Sequence, residues 1–117
     1  MSAAGDNTRA IPQKWEIWTA RVKYQDTVGE KVRPVLIYDN QTAYFLSFKI
    51  TSHEPRANFR GEYRIKYWKE AGLHLPSTVR CFEALNLEEA DIFSKIGRLD
   101  MADIREVRTI LRSQYGE

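Results

Sequence analysis

Five stretches of the chain combine branched and aromatic side chains in patterns typical of β-strands, and polar segments separate them. They cover residues 15–24, 33–38, 42–51, 61–68 and 77–84. Asp39, Asn40 and Gln41 supply turn-forming side chains between the second and third stretches. The sequence therefore predicts five strands, of which the second and third form a β-hairpin.

The C-terminal third changes to helical spacing, and the first of two predicted helices covers residues 86–97. Asn86 is a good N-cap residue, and Glu89 stands three positions later, which is the spacing of a capping box. Apolar residues at helical spacing follow, namely Ile92, Phe93 and Ile96. Gly97 can end this helix, because glycine adopts the C-cap conformation without strain.

The second predicted helix begins at Asp100. Leu99 and Ile104 stand on either side of that cap at the spacing of a hydrophobic staple. Its apolar stripe consists of Ile104, Val107, Ile110 and Leu111. Strands that precede helices, rather than alternate with them, predict an α+β fold. We expect a small curled antiparallel sheet, or SH3-like barrel, that packs on the C-terminal helices.

A length of 117 residues suits one domain with one core. We expect residues 1–12 to be a flexible N-terminal arm and residues 13–117 to be the domain. No apolar run approaches the roughly 18 residues that span a membrane, and the arm lacks the apolar stretch of a signal peptide. The single cysteine, Cys81, cannot form an internal disulfide. Together these features predict a cytoplasmic protein without a membrane partner.

Several classes of chemistry lack the residues they need. Two histidines and one cysteine offer no zinc ligand cluster, and the acidic residues show no calcium-loop spacing. The sequence contains no G-x-S-x-G, phosphate-binding loop, H-E-x-x-H or C-x-x-C. Proteolysis, nucleotide hydrolysis and thiol redox chemistry therefore have no support, and we predict neither a metal nor another cofactor.

Positive charge is concentrated in one segment, although the net charge is only +2. Residues 54–80 contain the cations Arg56, Arg60, Arg64, Lys66, Lys69 and Arg80. Tyr63, Tyr67 and Trp68 are interleaved with them. A single-stranded nucleic acid needs this combination, because cations pair with phosphates and bases stack on aromatic rings. A solvated strand face with aromatic core residues is the alternative interpretation.

Arg33 and Thr51 are predicted to meet at one end of the sheet. Arg33 begins the second strand and Thr51 ends the third, so antiparallel pairing sets Arg33 opposite the 48–51 region. A guanidinium and a hydroxyl that lie close together can bind a phosphate and stabilise the transition state of its cleavage. This pair suits RNA cleavage, because the substrate supplies its own 2′-hydroxyl nucleophile. Alternatively, Arg33 makes a salt bridge and Thr51 is an ordinary strand residue.

Two histidines are candidates for acid–base chemistry. His53 lies just after Thr51 and is the obvious general acid or base, although a single loop histidine is commonly a bystander. His74, in the turn between Gly72 and Pro76, has fewer polar neighbours and receives no role from the sequence.

Five short blocks, in order, resemble the PemK/MazF family of bacterial toxins from type II toxin–antitoxin operons. They are WEIW at 15–18, VRPVLI at 32–37, ITS at 50–52, VRC at 79–81 and IGRLD at 96–100. The resemblance covers about residues 14–112 and implies a barrel-like, homodimeric endoribonuclease. Such an enzyme cuts single-stranded mRNA at specific sequences without a metal, leaving a 2′,3′-cyclic phosphate and a 5′-hydroxyl. It also implies an acidic, partly disordered antitoxin partner.

The resemblance places the family's catalytic arginine on Arg33 and its catalytic threonine on Thr51. Some members use an arginine and an aspartate in a V-R-C-D block. Here Arg80 matches, but Phe82 stands at the aspartate position, and the neighbouring Glu83 would point to the opposite face of a strand. Contacts to RNA are predicted for Ser52, His53, Arg56, Arg60, Arg64 and Arg80.

Two alternative functions remain open at this level. A toxin of the same fold that poisons DNA gyrase would act through its C-terminal helix and need no active-site pair. A non-catalytic RNA-binding module of SH3-like build would share the basic and aromatic segment. A homodimer is also predicted, because the strand with Trp15 and Trp18 and the last helix offer much apolar surface.

Overall fold

The computed structural model describes residues 10–23, 29–40, 44–57 and 60–115. Most of the predicted N-terminal arm therefore lies outside the described residues. Parts of the loops after the first, second and third strands lie outside them as well.

Six antiparallel strands form one sheet. They are β1 (Glu16–Lys23), β2 (Glu30–Asn40), β3 (Phe45–Thr51), β4 (Glu62–Arg64), β5 (Thr78–Leu87) and β6 (Ile92–Arg98). Their spatial order is β4-β5-β3-β2-β1-β6. The α+β class and the five predicted strands are confirmed, although β4 is much shorter than expected. Within the described ranges no ladder joins β4 to β6, so the sheet is unclosed.

The prediction of a helix over 86–97 is wrong, because residues 92–98 form the edge strand β6. This strand pairs with β1 and so satisfies backbone groups that β1 would otherwise leave unpaired. A 3-10 turn, Glu89–Asp91, precedes it. The capping box lies between Glu88 and Asp91, where the Glu88 N–H donates to the Asp91 carboxylate at 3.2 Å. Tertiary pairing here outweighs the weak local preference for a helix.

Gly97 serves close packing of two backbones rather than a helix end. A Cβ at Gly97 would lie 2.1 Å from the carbonyl oxygen of Ala71. Conversely, a Cβ at Gly72 would lie 2.5 Å from the carbonyl oxygen of Ile96. Gly72 also has φ +95°, a conformation that side chains rarely adopt. The turn that begins at Ala71 is therefore held directly against β6.

One α-helix, α1 (Met101–Tyr115), follows the sheet, as predicted for the segment after Asp100. The Asp100 carboxylate accepts a hydrogen bond from the Ala102 N–H at 2.9 Å and so caps the helix. Leu99 and Ile104 are buried in one cluster, which confirms the hydrophobic staple. No helix in the described part of the chain is long and apolar enough to cross a membrane.

Apolar side chains form two clusters on opposite faces of the sheet. The cluster that α1 covers contains Ile17, Leu36, Phe48, Ile50, Val79, Ile104, Val107 and Leu111. Alternate strand positions form the other cluster, which contains Trp18, Ala20, Val22, Val35, Ile37, Phe45, Leu87 and Ile92. Trp15 and Trp18 are only 6% and 3% exposed. These tryptophans therefore offer little apolar surface to a second copy, contrary to the prediction.

The carboxylate of Asp103 ties the segment after β4 to α1. Asp103 is fully buried. It accepts a hydrogen bond from the Tyr63 hydroxyl and bonds of 2.9 Å from the backbone N–H groups of Lys66 and Tyr67. Burial and the nearby carboxylate raise the pKa of Tyr63, so the phenol keeps its proton and remains a donor. This anchor fixes where the chain enters the turn beside β6.

We expect Asp103→Ala to lower the free energy of unfolding by about 3–5 kcal/mol, because three donors lose their charged acceptor. Urea unfolding monitored by circular dichroism measures the loss. Arg105→Ala, an exposed change on the same helix, is the control and should stay within about 0.5 kcal/mol of wild type. A loss below about 1 kcal/mol for Asp103→Ala would contradict the anchoring role.

Candidate active site

A cleft of about 450 Å³ opens at the end of the sheet where β2 begins and β3 ends. Its walls come from β1, β2, β3, β6 and the turn 72–77 between β4 and β5. The lining includes Lys31, Arg33, Thr51, Ser52, His53 and His74. This volume lies in the range of pockets that bind small molecules. Four of the eight predicted site residues thus share one cavity.

Strand pairing brings Arg33 and Thr51 to this cleft. The ladder between β2 and β3 pairs Val35 with Lys49. Continuing that register by two residues sets Arg33 opposite Thr51. The predicted location of both residues at one end of the sheet is confirmed, because both line the same cleft. Their joint catalytic roles stay a prediction.

The chain turns immediately after Thr51 and carries Ser52 and His53 into the cleft. The Thr51 side chain is buried, and its Oγ1 accepts a hydrogen bond from the His53 N–H at 3.3 Å. This contact uses a lone pair of the hydroxyl and not its hydrogen. Ser52 and His53 are themselves exposed. The arrangement orients the Thr51 hydroxyl while leaving its neighbours accessible.

Hydrogen bonds from Arg64 hold the Ser52–His53 segment in place. Its Nη1 donates to the carbonyl oxygens of Ser52 and His53, at 3.3 and 3.1 Å. The same atom donates to Oγ1 of Thr78 at 3.1 Å, and the Thr78 hydroxyl donates to the His53 carbonyl at 2.6 Å. Arg64 does not line the cleft. The geometry therefore gives Arg64 a positioning role that the sequence did not predict.

The remaining predicted RNA contacts, Arg56, Arg60 and Arg80, also lie outside the cleft lining. Arg56 pairs with Glu62 through its guanidinium, and its backbone N–H donates to the same carboxylate at 2.7 Å. Burial disfavours the ionised Glu62 carboxylate, but the hydrogen bonds from Arg56 outweigh it and lower its pKa. Arg80 lies 3.5 Å from this carboxylate. Arg60 is exposed, and contacts of these arginines to RNA stay a prediction.

The expected orientation of Glu83 is wrong. Arg80 donates to the Glu83 carboxylate at 3.2 Å, although strict alternation would place the two on opposite faces. A register shift between β3 and β5 explains the difference, because Phe48 pairs with Ala84 whereas Lys49 pairs with Arg80. Three residues of β5 are therefore inserted at this point, and the bulge reorients them.

Cations extend from the cleft across the neighbouring strands. Lys49 on β3 pairs directly with Arg80 on β5. Burial lowers the pKa of Lys49, and repulsion from Arg33, Arg80 and Arg56 adds to this effect against the attraction of Glu83. Positive charges close enough to repel one another indicate a surface that favours an anionic ligand.

His74 enters the cleft from the turn that packs on β6, although its surroundings in the sequence indicated no role for it. The turn is fixed at its start by backbone hydrogen bonds of Ala71, Gly72 and Leu73 to residues 67–69. Leu73 is buried, whereas His74 is exposed. Gly72 was visible in the sequence, but only the fold shows that its packing on β6 places His74 in the cleft that Arg33 and Thr51 also line.

No carboxylate lines the cleft in the part of the chain that the structure describes. Over the same residues, no group of three or more His, Cys, Asp or Glu is placed to hold a metal ion. The polar chemistry of the cleft therefore rests on cations, hydroxyls and two imidazoles.

The sequence matches the family model for the PemK-like, MazF-like toxin of type II toxin–antitoxin systems over residues 13–115. No curated protein matches the chain significantly.

Solved structures with the same fold are similar to this chain over most of its length. One is an endoribonuclease in complex with its cognate antitoxin from a mycobacterial species, with a TM-score of 0.67 and 17% identity over 91% of this chain and 96% of that one. A second is the Mycobacterium tuberculosis toxin MazF-mt6, with a TM-score of 0.64 and 18% identity over 85% and 96%. A third is another mycobacterial endoribonuclease, with a TM-score of 0.69 and 14% identity over 90% and 91%. At these identities the likeness establishes the fold.

Proposed function

Because this chain belongs to the PemK-like, MazF-like toxins of type II toxin–antitoxin systems, we propose that it is an endoribonuclease that cleaves single-stranded mRNA. We further propose that cleavage is sequence-specific and needs no metal. The observation that carries the proposal is the meeting of Arg33 and Thr51 in one cationic cleft without a described carboxylate. Two of the similar solved structures are endoribonucleases, and this likeness supports the proposal.

In the proposed reaction the RNA attacks itself. The 2′-oxygen of one nucleotide forms a bond to the adjacent phosphorus, and the bond from phosphorus to the 5′-oxygen breaks. The 2′-hydroxyl gives up a proton, and the 5′-oxygen gains one. Arg33 binds the phosphate and stabilises its developing negative charge, while the Thr51 hydroxyl donates to the same group. The products are a 2′,3′-cyclic phosphate and a 5′-hydroxyl.

The direct test is incubation of the purified protein with a long single-stranded RNA in EDTA, followed by chemical mapping of both new ends. We expect cuts at a limited set of sites with cyclic phosphate and 5′-hydroxyl ends. RNA that is bound but intact would favour the non-catalytic binding module. Intact RNA together with inhibition of purified gyrase would favour the gyrase poison.

We expect Arg64→Ala to lower the cleavage rate constant by about 10-fold to 100-fold with little change in RNA affinity, because the Thr51–His53 segment loses its support. Single-turnover cleavage and RNA-binding titrations separate these two effects. Thr78→Val should act in the same way, and the double variant should be no worse than the more impaired single one. Arg105→Ala is the charge-matched control. Weakened RNA binding at an unchanged rate constant would instead assign Arg64 to RNA contact.

The proposal extends to partners and location. We propose that this chain binds a cognate acidic antitoxin, in keeping with the similar structure solved in complex with its antitoxin. We also propose a homodimer and a cytoplasmic location, where mRNA is found. Because Trp15 and Trp18 are buried within one chain, the dimer proposal rests on the family and not on these residues. Sedimentation at micromolar concentration tests it, and a fully active monomer would contradict it.

A further inference from the structure

The proposed reaction requires two proton transfers, and Arg33 is unsuited to either. A guanidinium keeps its proton in almost all protein settings, so it cannot accept one from the 2′-hydroxyl. We infer that His53 and His74 form the acid–base pair of this cleft, one accepting the 2′-hydroxyl proton and the other protonating the 5′-oxygen. This inference rests on the proposed function and supplies the groups which that function leaves unassigned.

Elimination among the described lining residues favours the imidazoles. The cleft offers hydroxyls, the ammonium of Lys31, the guanidinium of Arg33 and the two histidines, but no described carboxylate, phenol or thiol. Hydroxyls are too weakly basic to accept a proton at neutral pH. Imidazole is the side chain that ordinarily exchanges a proton near neutral pH, so it serves as either base or acid. Lys31 is the remaining rival and enters the test.

The two histidines reach the cleft from separate, well-held segments. His53 follows β3, and its carbonyl oxygen accepts hydrogen bonds from Arg64 and Thr78 at 3.1 and 2.6 Å. His74 follows Leu73, whose N–H donates to the Trp68 carbonyl oxygen at 3.0 Å. Two firmly positioned backbones that carry exposed imidazoles suit groups that must reach opposite sides of one phosphate.

Contacts that hold the turn before His74 support the same assignment. The backbone of Gly72, two residues before His74, approaches the Ile96 carbonyl so closely that a Cβ at Gly72 would lie 2.5 Å from it. The buried Asp103 carboxylate anchors the same segment at Lys66 and Tyr67. These contacts hold the turn that carries His74 in place, and an acid–base group needs such positioning.

The step balances without a co-reactant. The neutral imidazole takes the 2′-hydroxyl proton as the oxygen bonds to phosphorus, and the imidazolium gives its proton to the departing 5′-oxygen. The enzyme therefore ends with its two protonation states exchanged, and water restores them. The charged residues that line the cleft together with both histidines are Lys31 and Arg33 from β2, whereas the described residues that β1 and β6 contribute to the lining are uncharged.

The test combines pH–rate profiles with a modified leaving group. Single-turnover cleavage is measured in EDTA for wild type, His53→Ala and His74→Ala, from about pH 5 to pH 9. Wild type should give a bell-shaped profile, and each variant should be slower by about 10²–10⁴-fold and lose one limb of the bell. Glu54→Ala, directly after His53, and Glu70→Ala, four positions before His74, change exposed residues outside the cleft lining. They are the controls and should retain wild-type rates.

A substrate with sulfur in place of the 5′-bridging oxygen then separates acid from base. A thiolate leaves without protonation, so this substrate should restore cleavage by the variant that lacks the acid and not by the variant that lacks the base. Binding of an uncleavable RNA with a single deoxyribose should be unchanged in both variants if the histidines transfer protons. Weaker binding by His53→Ala at an unchanged cleavage rate constant would instead support the RNA contact that the sequence predicts for His53.

Several outcomes would overturn the inference. These are rates within about threefold of wild type in both variants, a bell that persists in the double variant, or a limb that disappears only in Lys31→Ala. Each of these results requires a wild-type protein that cuts RNA, so each leaves the proposed function standing. A wild-type protein that does not cut RNA would instead overturn the proposed function.

Discussion

Arg33→Ala is expected to slow RNA cleavage by about 10²–10³-fold, because the phosphate loses the guanidinium that binds it in the cleft. The backbone of Arg33 pairs with Ala20 on β1, and this pairing does not depend on the side chain. The fold should therefore survive. Single-turnover cleavage at saturating protein measures the chemical step, and thermal unfolding by circular dichroism measures the fold.

Two companion variants sharpen this prediction. Arg33→Lys keeps the charge but loses the planar fork that matches a phosphate, so its activity should lie between those of wild type and Arg33→Ala. Arg105→Ala removes an equal charge from an exposed position on α1 and should cut at the wild-type rate. A folded Arg33→Ala protein with wild-type activity would remove Arg33 from the mechanism.

An RNA with one deoxyribose immediately 5′ of the scissile phosphate is expected to resist cutting altogether. The modification deletes the nucleophile but retains the phosphate, so the contacts of Arg33 and Thr51 remain available. Cleavage of this RNA and of the all-ribose RNA is compared in EDTA. The all-ribose RNA should be cut at its normal rate, because the nucleophile is the RNA's own 2′-hydroxyl and not a metal-activated water.

Binding measurements complete this comparison. Both RNAs should bind with similar affinity, and the affinity should fall steeply as salt rises, because Arg and Lys contacts to phosphates release counterions. Equal cutting of the deoxy substrate would rule out attack by the 2′-hydroxyl. Loss of all cutting in EDTA would show that a metal takes part, even in a protein that is a nuclease.

The sequence by itself determined the strand-rich α+β class, the hairpin and the start of α1. These features depend on nearest neighbours along the chain. The Asp100 cap and the staple of Leu99 and Ile104 formed as predicted, because a cap and a staple each need only residues within one helical turn. The location of Arg33 and Thr51 at the same end of the sheet was predictable from hairpin pairing. Their exact pairing was not, because an irregularity between Ile37 and Asp39 shifts the register by one residue.

Only the tertiary structure determined that residues 92–98 form a strand and not a helix. Their apolar spacing suits a helix, but a position beside β1 supplies backbone hydrogen bonds that no local preference of a few tenths of a kcal/mol can match. The same long-range choice changed the role of Gly97 from a helix end to a close contact with Ala71.

The rest of the site was also decided by contacts between residues distant in sequence. His74 joins Arg33 across 41 positions of the chain, because the turn that carries it is held by β6 and by Asp103. Arg64 positions His53 and is not a free cation, because folding brings its guanidinium within hydrogen-bond distance of the His53 carbonyl oxygen. A linear pattern records residue types and spacing, whereas these roles follow from which backbone groups and side chains meet once the sheet has formed.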